Sequence, residues 1–305
     1  MTEGLPPALR RALTLFGPEA RRWLPRLLEP VMAAPGGDRW RRSLLTPERF
    51  PVELSVSTAS PRTDRYATEF VSPAGPPGTR LAAGLERLER IGLPPPDARL
   101  LALLLDAHRR HPVVWGTWLA GRHDTCGDRF KLYAEVPKTA AVPVEREVAR
   151  LVGARPFPLP EARLRLVGID LTTGAVERYH RVGRLTVADL RLLTPRDLDP
   201  GQECLADAVR DLLGRPAADE LPGFNVNVSL APRALSVSAP ALSWLGADPD
   251  ARTRLLAHAA RHGHDLSRYA ALTAESPLTH RNRHGMLTVT ARPGPAAHLT
   301  IGFSP

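Results

Sequence analysis

The chain has 305 residues, 43% of them hydrophobic and 24% charged, and its 41 basic against 32 acidic side chains leave a formal net charge of +9. That length and composition belong to a globular protein with a large core, and the positive balance favours an anionic partner through attraction that salt screens. The basic residues are scattered, and no zinc-finger spacing, RNP-like strand or helix-turn-helix pattern accompanies them, which argues against nucleic acid. Cys126 and Cys204 stand far apart in dissimilar contexts, so neither a disulfide framework nor a cysteine-based zinc site is expected. The N-terminus lacks the continuous apolar core of a signal peptide and no apolar run is long enough to span a bilayer, so a cytoplasmic protein with no membrane partner is the expectation.

Residues 6–17 and 18–31 open the chain with two helical patterns. Residues 51–58 and 65–71 then carry an apolar residue at every second position, and the turn-forming ASPRTD between them predicts a hairpin. Two further helices are predicted over 81–93 and 97–110, separated at Pro94–Pro95–Pro96, where backbone donors are missing. The second hairpin is 113–120 and 129–136 around GRHDTCGD. A helix over 144–154 precedes the third, 163–171 and 176–182 around TTGA. Helices over 186–193 and 203–214 lead to the fourth hairpin, 224–230 and 234–239. Helical patterns over 243–263 and 265–275 lead to the fifth, 286–291 and 298–303. The order helix, helix, strand, strand thus recurs five times across residues 1–305, which reads as one domain whose units share no sequence identity.

Ten antiparallel strands in consecutive hairpins remove both sheet edges if they close into a barrel. Each strand has an oily face and a polar one: Glu53, Ser55 and Ser57 alternate with apolar residues in the first, Asn225, Asn227 and Ser229 in the seventh, His298, Thr300 and Gly302 in the tenth. Amphipathic helices must bury their own apolar stripe, and the oily strand faces offer the surface. The helices then belong outside and the polar faces point inward. The fold expected is α+β, a ten-stranded antiparallel β-barrel with a polar lumen surrounded by α-helices; an open β-sandwich with its polar faces toward solvent is the competing arrangement. Phasing the alternation turns Arg65, Ala67 and Glu69 to one face, and Arg129, Lys131, Tyr133 and Glu135 inward. In the sixth strand Arg178 and His180 share one face and Tyr179 and Arg181 the other, and the phase is ambiguous. Cations converging from several strands suit phosphate oxygens.

The ααββ order, VELSVS followed by DRYATEF, the K-x-Y strand of FKLYAEVP and GIDL with VERYHRV resemble the ABBA-type aromatic prenyltransferases (PT-barrel fold), in particular the indole, dimethylallyltryptophan synthase-like branch. The resemblance implies transfer of a dimethylallyl or longer group from a prenyl diphosphate to an aromatic small molecule or peptide, in secondary metabolism. By it, Glu53 would accept a hydrogen bond from an indole N–H, Arg65, Lys131 and Arg178, with His180, would grip the diphosphate, and Tyr133 would belong to a ring of tyrosines shielding the allyl cation. Trp115 and Trp118, read on opposite faces of the third strand, complete the expected acceptor pocket, one packing under helices and the other flooring the pocket beside Glu53. No DDxxD-type sequence and no metal site is expected; Mg2+ dependence varies across the family and stays open. The chain departs from the pattern in having only four tyrosines, with Ser236, Ser238, His298 and Thr300 where shielding groups are expected. That departure keeps a second reading in play, a catalytically degenerate barrel that binds a prenylated or anionic metabolite or a biosynthetic partner. His262 and His264 have a spacing that metal sites use, but they read as a helix C-terminal cap region with Gly263 making the turn.

Overall fold

The alternating segments form strands wherever their oily residues find a helix to pack against. A computed structural model describes residues 5–33, 41–183, 185–193, 201–214, 220–221, 226–231, 233–274, 283–294 and 296–305. Ten antiparallel strands close into a barrel: β1 (Val52–Ser57), β2 (Asp64–Thr68), β3 (Thr117–Asp124), β4 (Gly127–Glu135), β5 (Arg163–Asp170), β6 (Val176–Val182), β9 (Val226–Ala231), β10 (Ala234–Pro240), β11 (His284–Ala291) and β12 (Ala297–Phe303). They pair in chain order, and β1 completes the ring against β12, with Leu54 opposite Phe303 and Ser57 opposite Thr300. The short β7 (Leu185–Thr186) and β8 (Glu220–Leu221) pair only with each other. Closure decides between barrel and open sandwich. The expected start of the seventh strand, Phe224 and Asn225, lies outside the described residues.

Helices α1 (Pro7–Leu13), α2 (Pro18–Met32), α3 (Pro77–Arg90), α4 (Ala98–Arg110), α5 (Ala141–Leu151), α6 (Val187–Leu193), α7 (Gly201–Leu213), α8 (Ala241–Leu245), α9 (Asp248–His262) and α10 (Ser267–Leu272) surround the barrel. The proline run parts α3 from α4, and Asp97 caps α4 by accepting from the N–H groups of Arg99 and Leu100 at 2.9 and 3.0 Å. The third unit has a 3-10 turn, Lys138–Ala140, running into α5, so its second α-helix is missing. The pattern over 243–263 breaks into α8 and α9 at Gly246, whose φ of 85° ends the first helix. Among the described residues no helix is long and apolar enough to cross a membrane.

The core lies between barrel and helices. Leu24, Leu27, Leu28 and Val31 of α2, at helical spacing, are fully buried, as are Leu54, Leu119, Leu132 and Ile301 on the outward faces of strands. Polar groups on this outer face are matched. Asp128 is 2.7 Å from His123 Nδ1, whose Nε2 is 3.0 Å from Tyr66 Oη, while Trp23 of α2 donates to the same carboxylate at 2.6 Å. Asp248, His284 and Tyr269 form a second such chain, with contacts of 2.7 Å.

Arg178 and His180 belong to this outer face, which corrects their expected place at the diphosphate. Glu145 of α5 receives Arg178 Nη1 at 2.8 Å and meets His180 Nε2 at 2.9 Å, and Phe157 stacks on the His180 ring. The β6 phase is fixed by Val182 and its neighbours packing outward, which sends Glu177, Tyr179 and Arg181 into the lumen. Burial lowers the His180 imidazole against the pull of Glu145; burial also pushes the Glu145 carboxyl up, but His180 and Arg178 outweigh it and hold it low. Both groups therefore take up protons at higher pH in the unfolded chain. The stability they supply is intact above the ordinary His value of 6.5 and is lost on acidification, first through His180 and then through Glu145. Glu145→Ala, which strands a buried cation, is expected to cost about 3–5 kcal/mol in urea unfolding at pH 7, and the wild-type midpoint is expected to fall between pH 7 and 5.

Candidate active site in the barrel lumen

The inward faces enclose a cavity of about 820 Å³. Three arginines stand in one cross-strand row, Arg65 on β2 opposite Arg122 on β3, and Arg122 opposite Arg129 on β4. Arg292, at the end of β11, lines the same cavity. Arg129 pairs with Asp124 at 2.5 Å and Arg65 donates to Ser60 Oγ at 2.6 Å. Among the described residues no carboxylate forms an ion pair with Arg65, Arg122 or Arg292, and Arg65 Nε is buried with no hydrogen-bond partner. Burial and the charges of Arg122 and Arg292 bring the Arg65 guanidinium down to about 9, and burial and Arg129 lower Arg122 as well. Like charges held this close are costly unless an anion joins them.

One row further along, Lys131 of β4 is 2.7 Å from Glu177 of β6, which also accepts from Ser229 Oγ at 2.6 Å. Burial pushes the Glu177 carboxyl up, but the Lys131 charge together with hydrogen bonds from Lys131, Ser229 and Tyr179 outweighs it and holds it low. Tyr133 and Tyr179 meet edge-to-face with ring centroids 5.8 Å apart. They converge over Gly168 of β5, where an added β-carbon would lie 3.1 Å from Lys131, Tyr133 and Tyr179 together. A bulge in β5 between Leu164 and Leu166 turns both Arg165 and Leu166 inward.

Glu53 of β1 lies across two glycines, Gly302 of β12 and Gly285 of β11, and a β-carbon at Gly302 would overlap its carboxylate. Burial pushes the carboxyl up to about 7, against a hydrogen bond from the Met286 backbone. Trp115 and Trp118 do not occupy opposite faces of one strand. Trp115 sits in the turn before β3, and the two indoles stack at 3.8 Å with planes 11° apart, both lining the cavity. That turn is held by Glu135, which accepts from the N–H groups of Val114, Trp115 and Gly116 at 2.9, 2.7 and 2.9 Å, so Glu135 is an anchor at the barrel end instead of a lumenal group. Glu69, just past β2, accepts from Trp118 Nε1 at 3.1 Å and from Ser43 at 2.8 Å, and burial raises it to about 7.

The opposite wall is small and hydroxylated. Ser236 meets Thr290 at 2.9 Å, Ser238 meets Thr288 at 2.8 Å, and Thr300 donates to Ser57 at 3.1 Å. Tyr66 and Tyr269 point their rings outward into the two carboxylate–histidine chains, leaving Tyr133 and Tyr179 as the lumenal tyrosines. Of the residues expected from sequence, the fold brings Glu53, Arg65, Lys131, Tyr133, Trp115 and Trp118 to one lumen and excludes Arg178 and His180. It adds Arg122, Arg292, Glu177, Tyr179 and the bulge residue Arg165. Arg122 was within reach of sequence, since Trp118, Ala120 and Arg122 continue one alternation into a segment read as a turn.

No family model and no curated protein matches the chain. Solved structures do. A 5-dimethylallyl tryptophan synthase from Streptomyces coelicolor, in complex with DMASPP and Trp, superposes with a TM-score of 0.78 at 20% identity over 97% of this chain and 92% of that one. A 6-dimethylallyltryptophan synthase from Micromonospora olivasterospora gives 0.75 at 22% over 99% and 96%. AnaPT from Neosartorya fischeri gives 0.64 at 16% over 86% and 80%. The likeness is one of fold: the chain has the ABBA-type prenyltransferase barrel that these structures share.

The contact between Glu53 and the two glycines is testable by a double-mutant cycle. Gly302→Ala is expected to cost about 1–3 kcal/mol of unfolding free energy in the wild-type background, and much less in a Glu53→Ala background, where the overlap is gone.

Proposed function

We propose that the chain transfers a dimethylallyl or longer prenyl group from a prenyl diphosphate to an aromatic, indole-type acceptor, free or on a peptide, with both bound in the barrel lumen. The observation that carries this reading is the Arg65–Arg122–Arg129 row with Arg292, mutually repelling cations open to a cavity and next to two tyrosines. Guanidinium forks suit phosphate oxygens, and charge building on a departing diphosphate is stabilised where water is excluded. Breaking the C–O bond leaves an allyl cation, which needs π faces and dryness to survive. Tyr133 and Tyr179 supply the faces on the cationic wall. The acceptor ring attacks to form the C–C bond, and a base removes the ring proton. Glu53, held by the glycines opposite, accepts a hydrogen bond from the acceptor N–H in its ionised form. The stacked pair Trp115–Trp118 forms an apolar floor at the acceptor end. Relatives in fold have been solved with DMASPP and Trp, and PriB with L-tryptophan and dimethylallyl thiolodiphosphate, which supports the same pair of ligand classes here.

A second reading, a barrel that binds such ligands without turnover, is favoured by one feature: Glu177 already neutralises Lys131. Calorimetry with dimethylallyl thiolodiphosphate separates the two when followed by incubation with the reactive donor and indoles. Wild type is expected to bind the mimic, Arg65→Ala to lose at least about tenfold in affinity through one lost charge-assisted contact, and Lys131→Ala to lose less, because Glu177 competes for its ammonium. No binding by wild type overturns the donor site; binding without product on any indole or phenol selects the second reading.

The Glu53 value sets a pH dependence. With a pKa of about 7, kcat/KM is expected to rise as pH passes through 7 and the carboxylate forms. Glu53→Gln is expected to be slow and to lack that limb; an unchanged profile in the variant would remove Glu53 from the acceptor contact.

A further inference from the structure

Outside the barrel, on the helical ring, one side-chain cluster has no part in the lumen. α9 carries His258 and His262 four residues apart, hence on one face, and α7 sets Asp211 against them. Asp211 Oδ2 lies 2.5 Å from His258 Nδ1 and 3.0 Å from His262 Nε2, and one donor atom from each of the three residues lies within 4.8 Å of the other two. α9 ends at Gly263, whose φ of 65° reverses the chain and returns His264 over the pair, with ring centroids 5.9 and 6.0 Å from those of His258 and His262. Arg261 donates to both carboxylate oxygens of Asp211, Oδ1 at 2.9 Å and Oδ2 at 3.0 Å, and orients it.

Two imidazoles address the same oxygen, so each must carry its proton on the facing nitrogen, and a third ring stands beside them. Imidazole nitrogen and carboxylate oxygen are the atoms that ligate such ions, and here two of the first kind and one of the second face one another. A tetrahedral ion with bonds of about 2.0–2.1 Å needs donor atoms about 3.3 Å apart, within a small side-chain rotation of the distances found. Nitrogen-rich ligands suit Zn2+, Co2+ or Ni2+ over Mg2+ or Ca2+, and His262, with a side chain 48% exposed, leaves a path for the ion.

We propose that Asp211, His258 and His262, with His264 placed to supply a fourth ligand, bind a divalent transition-metal ion of the Zn2+ type that clamps α7 to α9. The ion replaces the protons between the rings and Asp211 Oδ2, while Arg261 stays on Oδ1. None of these four residues lines the lumen, although His264 lies within electrostatic reach of the lumenal His298.

The test uses the full chain without a histidine tag, stripped with EDTA and titrated with Co2+. One equivalent is expected to give the visible d–d absorption of a tetrahedral site, Zn2+ to abolish it, and a hundredfold excess over Kd to raise Tm by about 5 °C. His262→Ala, on the exposed side where folding is not at risk, is expected to weaken binding at least tenfold while leaving the metal-free Tm unchanged. No absorption and no Tm rise would overturn the site. Metal binding unchanged in His262→Ala would overturn it too, by locating the ion elsewhere.

Discussion

In a closed sheet every residue faces either the lumen or the helices, and except at a bulge its chain neighbour faces the other way. The rest of this structure follows from that alternation. It sends Leu54, Leu119, Leu132 and Ile301 under the helical ring, where burial of their apolar surface drives folding. It leaves Glu53, Ser55, Arg65, Lys131 and Thr300 no place but the interior. A lumen built this way cannot be packed shut by side chains in the manner of a parallel barrel, whose branched apolar residues point inward. It stays open, at about 820 Å³.

Charge is handled differently on the two faces. Toward the helices three buried carboxylates meet counterparts: Asp128 with His123 and Tyr66, Glu145 with Arg178 and His180, Asp248 with His284 and Tyr269. These contacts join helix to barrel and satisfy groups that would otherwise be costly to bury. Inside, the balance is left unmade. Among the described residues Arg65, Arg122 and Arg292 form no ion pair with a carboxylate, and desolvation with mutual repulsion depresses Arg65. Under the function proposed above, the counter-charge these arginines lack is the one a ligand would bring.

The two walls of the lumen divide the chemistry between them. β2 to β6 carry Arg65, Arg122, Arg129, Arg165, Lys131 and both lumenal tyrosines, while Arg292 reaches the same cavity from the end of β11, so cations and aromatic faces lie side by side. β9 to β12 carry serine and threonine hydroxyls that bond to one another across strands. Small side chains there leave room, and Gly302 with Gly285 give the Glu53 carboxylate its bed. The glycines act through the volume they do not occupy: a methyl at Gly302 would lie where the carboxylate is.

Hydropathy period two and the recurring order of elements were readable along the chain, since both are local properties of sequence; they were enough for strand number and one polar face per strand, and made closure the expected arrangement over an open sandwich. Where one face was plainly oily, as around Glu53 or Lys131, they also told which side chains point inward. In β6 the signal failed, because Glu177, Arg178, Tyr179, His180 and Arg181 put polar atoms on both faces; only Glu145, arriving from α5, makes the outer position of Arg178 and His180 favourable. The β5 bulge at Arg165, the stacking of Trp115 on Trp118, and the pairing of Asp211 with His258 across two helices depend likewise on partners distant in sequence or on backbone geometry that no periodicity encodes. Sequence by itself determined the strands and the polarity of their two faces, because alternation is a property of each strand alone. Tertiary structure decided which charges meet and which are left unpaired, because that depends on register between strands and on what the helices bring to their backs.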